Sequence, residues 1–172
     1  MNKQWLLGVD PGAKTGWCCY DVDARCVVDA GHFDEHHIPY PMPDSWRHVL
    51  AVAIERPKGY GPTFPQVVDC AYVCGRLVAE LANELRVPVQ ERLRREVYKA
   101  LTQAIDGEVH VRTDATVWAA LRIIHGGDNA GDKGKLPDKK GLGGRPAGPL
   151  AGVSSHARAA LAVAVVVGCL EG

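Results

Sequence analysis

Twice along this chain an apolar run stops on an acid and is broken at once: WLLGVD before Pro11-Gly12, and VLAVAIE before Arg56-Pro57. Runs of this length, rich in Val, Ile and Leu and bounded by Pro and Gly, read as buried strands. If the two strands are neighbours, Asp10 and Glu55 leave the sheet at the same edge. Like charges held that close repel, and one takes up a proton unless a cation stands between them. The simplest such cation is Mg²⁺ or Mn²⁺, both of which take oxygen ligands. Metal there can activate water and stabilise the leaving oxygen of a phosphodiester. The plainer alternative is that both acids merely end their strands.

The remaining pattern sets these strands in a sheet. Gly16 to Tyr20 reads as a second strand and Arg25 to Ala30 as a third, joined by the short polar hairpin DVDAR. Residues 34–45 are rich in Pro, His and Asp and read as a loop. His32, His36 and His37 fit no zinc spacing and read as loop residues. Apolar residues at helical spacing run from Gln66 to Leu85; VPVQE then reads as a strand and Arg94 to Gln103 as a helix. Thr113-Asp114 opens a further helix that Gly126-Gly127 stops. Residues 126–153 form a long, flexible, basic loop, and Ser154 or Ser155 caps the last helix. The expectation is one α/β domain spanning residues 1–172, with a five-stranded mixed sheet flanked by helices.

Composition narrows the class. Apolar residues make up 47% and charged residues 23%, which fits a globular chain and not a disordered one. A net charge of zero argues against a uniformly basic nucleic-acid coat. The six cysteines form no CxxC pair and read as buried thiols in a reducing compartment. With no leader sequence, and a C-terminal apolar run too short to cross a bilayer, the expectation is a cytoplasmic protein away from membranes.

Four segments in order, GVDPGAKTGW, AIERP, RREVYKALT and SSHARAALAVA, resemble the RuvC-type Holliday-junction resolvases of the RNase H-like superfamily, especially its compact phage-like members. The first segment alone also suits actin-like ATPases and sugar kinases, but those need a duplicated domain that 172 residues cannot hold. The resemblance implies an RNase H-like fold and a Mg²⁺- or Mn²⁺-dependent endonuclease that cuts branched DNA as a homodimer. It also implies that Asp10, Glu55 and His156 are catalytic and bind the metal. In that family a further acid follows three residues after the position of His156, on the same helical face. Here that residue is Ala159. Either the site works with fewer acids, or Asp114 supplies the missing charge, or cutting is impaired and the chain only binds branched DNA. Asp114 can equally belong to a helix cap with Thr113. A relative acting on RNA is a further alternative, because fold does not fix substrate.

Charge is segregated along the chain. Arg86, Arg92, Arg94, Arg95 and Lys99 outnumber Glu91 and Glu96, and Lys133, Lys135, Lys139, Lys140 and Arg145 dominate the long loop. Arg94, Arg95, Lys99 and the four loop lysines are the candidate phosphate contacts. Lys14, beside Asp10, can meet the scissile phosphate or be a plain turn lysine. Tyr60, in a glycine loop after Glu55, can stack on an unpaired base.

Overall fold

A computed structural model describes residues 4–12, 14–34, 38–56, 65–127, 129–131 and 147–170. The strands are β1 (Trp5–Asp10), β2 (Thr15–Asp21), β3 (Cys26–Phe33), β4 (Val49–Arg56) and β5 (Val89–Leu93). The helices are α1 (Pro65–Leu85), α2 (Arg94–Ala104), α3 (Asp114–Ile124) and α4 (Arg158–Val165). One sheet forms in the order β3-β2-β1-β4-β5. β1, β2 and β3 make an antiparallel meander, while β1, β4 and β5 run parallel. The mixed five-stranded sheet is therefore as the sequence implies.

Alternation along the central strands builds two cores. Leu7, Val9, Val52 and Ile54 face α1 and pack with Leu77 and Leu81. Leu6, Cys18, Tyr20 and Ala53 face the other way, onto α2, α3 and α4. The run LAVAVVV, from Leu161 to Val167, is buried along its whole length, which explains why it shows no polar face. It comes close to the sheet because Gly8 has no side chain: a Cβ there would land on the carbonyl oxygen of Ala160. Gly16 plays the same part under the carbonyl of His156. Tyr20 Oη lies 2.8 Å from His125 Nε2, and His125 Nδ1 lies 2.8 Å from the Leu121 carbonyl. The ring therefore donates to Leu121 and accepts from Tyr20, pinning the end of α3 to β2.

Several boundaries differ from the sequence reading. β3 runs on to Phe33, so His32 belongs to a strand and not to a loop. Neither Ser154 nor Ser155 caps the last helix; Ser154 makes no side-chain capping bond, and a 3₁₀ turn over Ser155–Ala157 leads into α4. The ends of the 126–153 stretch are anchored. Ala130 and Leu150 are buried and joined by a 2.8 Å backbone hydrogen bond, and the Pro149 carbonyl accepts from Val27. All six cysteines are free, with Cys18, Cys19 and Cys74 buried.

Candidate metal centre

β1 and β4 run parallel with Gly8 opposite Ala53 and Val9 opposite Ile54, so Asp10 and Glu55 come next in one row. Side chains alternate along a strand, and both acids share the face that Gly8 and Ala53 turn towards α4. Glu55 is 3% exposed and, with Thr15, is one of two buried polar residues among those described. Asp10 sits at the rim, 23% exposed.

Arg94 joins the pair. Its Nε donates to Glu55 Oε1, and its terminal nitrogen donates to Asp10 Oδ1 at 3.4 Å. Its position follows from the sheet. β5 pairs with β4 with Arg92 opposite Glu55, and α2 begins at Arg94, two residues further on. Glu96 fixes that helix start by accepting the Leu93 N–H at 2.9 Å.

The electrostatics are those of crowded acids under partial compensation. Burial, then the neighbouring Glu55 charge, and more weakly Asp114, push Asp10 up to about 7, against the opposing pull of Arg94. Burial also raises Glu55, with Arg94 again opposing and Asp114 adding to the rise. Tyr98, one turn along α2 from Arg94, is raised by burial and senses Arg94, Glu55, Asp114 and Asp10 together. Arg94 as partner of the acids, and Tyr98 beside them, are features the sequence reading missed. The only available signal was their i,i+4 spacing in RREVYKALT.

Thr113 is the N-cap of α3, its hydroxyl accepting from the Thr116 N–H at 3.3 Å. Asp114 is therefore the first helical residue and not the cap; its exposed carboxylate is near enough to act on both acids. His156 lies with its main chain over Gly16, the residue that pairs with Asp10 across β1 and β2. Its ring leans the other way, against His32 on β3, with centroids 5.1 Å apart. Among the described residues, no three His, Cys, Asp or Glu side chains stand close enough to share one ion. Lys14 pairs with Asp34 at 3.6 Å on the exposed turn. Arg95 and Lys99 are exposed on α2. Tyr60, Lys133, Lys135, Lys139 and Lys140 lie outside the described residues.

The donor chemistry fits Mg²⁺ or Mn²⁺. Both accept hard carboxylate oxygens, and Mg²⁺ is commonly held by one or two carboxylates with water completing the shell. Asp10 and Glu55 would hold the ion, with Asp114 adding negative charge nearby.

A mixed sheet in this order, with acids at the ends of its first and fourth strands and a final helix laid across them, defines an RNase H-like fold. Among solved structures it is similar to that of Thermus thermophilus RuvC, with a TM-score of 0.57 and 17% identity over 94% of this chain and 92% of that one. It is also similar to T. thermophilus RuvC in complex with a Holliday junction substrate, with a TM-score of 0.53 and 17% identity over 94% and 90%. No protein-family model and no curated protein sequence matches the chain. No described helix is long and apolar enough to cross a membrane.

Proposed function

We propose that this protein is a divalent-metal-dependent endonuclease that hydrolyses phosphodiester bonds in branched DNA such as Holliday junctions. The observation that carries the reading is the buried Glu55 set beside Asp10 at the ends of neighbouring parallel strands. Burying a carboxylate is costly unless a partner cation or a function keeps it there. The RuvC fold supplies the context, and one of the similar structures was solved with a Holliday junction substrate.

When bound, the ion would supply an activated water and charge stabilisation at the scissile phosphate. The chain's own part is to hold Asp10 and Glu55 aligned side by side on neighbouring strands. Tyr98 and Arg94 wall the site from the α2 side. Arg95 and Lys99 continue the exposed face of α2 and are assigned to the DNA backbone, together with Lys14, Lys133, Lys135, Lys139 and Lys140; Tyr60 is assigned to an unpaired base. His156 is assigned to the metal or its water, which requires its ring to turn from His32 towards Asp10. Paired nicks in a two-fold symmetric junction call for a homodimer.

Ala159 favours a second reading. With no acid there, the protein would bind branched DNA in the cell without cutting it. The test is nicking of a synthetic four-way junction in Mg²⁺ and in Mn²⁺, with structured RNA as competitor. The nuclease reading expects product, more of it in Mn²⁺ than in Mg²⁺, and about a tenfold gain in Mg²⁺ activity for Ala159→Asp. Tight junction binding without product in either metal gives the second reading. Preferential competition by RNA would move the substrate class.

A further inference from the structure

We propose that Arg94 is the resident counter-ion of the Asp10–Glu55 pair, and that a divalent ion enters by displacing it. The proposal rests on the reading of that pair as a metal site.

Four observations carry it. The Arg94 guanidinium contacts both carboxylates at once, in the place where a shared ion would stand. Glu55 is buried, so its charge needs a partner whenever metal is absent. Arg94 occupies the first position of α2, where the helix dipole disfavours a cation. Its placement there is explained by the acids and not by the helix. Finally, the side chain is 47% exposed, so its long arm can swing into solvent without moving α2.

Charge decides between the two cations. Two carboxylates and one guanidinium leave a net negative charge, which still attracts a divalent ion. A guanidinium and a divalent ion in contact with the same oxygens repel each other. Loading therefore requires the charge-assisted hydrogen bonds of Arg94 to break, and this lowers metal affinity. Once released, the guanidinium stands beside the ion, within reach of a phosphate that the ion also attracts. Metal and DNA then favour each other's binding, and the coupling is reciprocal. The arrangement keeps the buried acid pair compensated in the free protein and frees a phosphate-binding cation when the ion arrives.

The test is calorimetric titration of the full chain with Mn²⁺ alone. Arg94→Met should bind Mn²⁺ about tenfold tighter than wild type. Arg94→Lys should fall between them, and Asp10→Asn should lose the binding. If Arg94→Met binds with unchanged or weaker affinity while Asp10→Asn abolishes binding, the displacement is wrong and the metal site stands. If neither wild type nor Arg94→Met binds Mn²⁺ at millimolar concentration, the metal reading fails and the proposal fails with it. A measurement on wild type guards against a misfolded variant. Titration with Mg²⁺ should move the Arg94 Nε–H resonance to that of a solvent-exposed arginine. A resonance that stays fixed while Mg²⁺ binds overturns the proposal.

Discussion

Asp10→Asn is expected to stop nicking of a four-way junction and, in the same preparation, to raise the melting temperature of the metal-free protein. The loss follows from the role assigned to the carboxylate. A bound metal supplies several kcal/mol of charge stabilisation, and about 1.4 kcal/mol corresponds to tenfold in rate, so a loss of about 1,000-fold or more is expected. The gain in stability follows from the carboxylate's raised pKa. Asp10 moves from 3.8 to about 7 on folding. Between those values the unfolded chain has released a proton that the folded chain still holds. Stability therefore falls as pH rises through that window and levels off above it.

Taken in full, that shift corresponds to about 4 kcal/mol. Asp10 keeps some solvent contact, at 23% exposure, and the amide loses much of the attraction to Arg94. A net gain of about 1–2 kcal/mol at pH 8 is therefore expected. The difference between variant and wild type should shrink towards pH 4. Nicking at wild-type rate by Asp10→Asn removes the metal assignment. A lower melting temperature at pH 8 removes the picture of crowded acids.

Gly8→Ala is expected to cost about 3 kcal/mol or more, because the added methyl meets backbone and not a movable side chain. The methyl would strike the Ala160 carbonyl oxygen and come within 3.0 Å of the Ala164 side chain. Helix α4 would have to lift from β1, and nearly all of that helix is core. Because α4 follows the short turn that carries His156, the shift should also displace the ring beside His32. Urea denaturation measures the first effect. A variant within 0.5 kcal/mol of wild type, inside the usual range for surface substitutions, would mean that α4 does not pack on β1 as described.

The strands, the two acids at their ends and the mixed sheet were legible because they rest on local signals: apolar runs, breakers and helical spacing. The partnership of Arg94 with those acids was not. Read along the chain, Arg94 is one cation in a basic segment and looks like a phosphate contact. Its true neighbour lies 39 positions earlier and is found only once β5 is known to pair with β4. His32 escaped for a related reason. The histidines and acids after Ala30 look like loop, yet β3 extends because its partner β2 offers a ladder as far as Thr15 opposite Phe33. The direction of the His156 ring was equally out of reach, since helical spacing places a residue on a face and does not fix its rotamer. Thr113 and Asp114 were both plausible caps by composition, and the hydroxyl geometry at Thr116 decides for Thr113.

Crystals of the protein soaked in Mn²⁺ and measured at the manganese absorption edge test the central claim most directly. An anomalous peak between the carboxylates of Asp10 and Glu55, with the Arg94 side chain moved off them, is the predicted result. Manganese bound elsewhere on the surface, with Arg94 still joining the two acids at millimolar Mn²⁺, would contradict it.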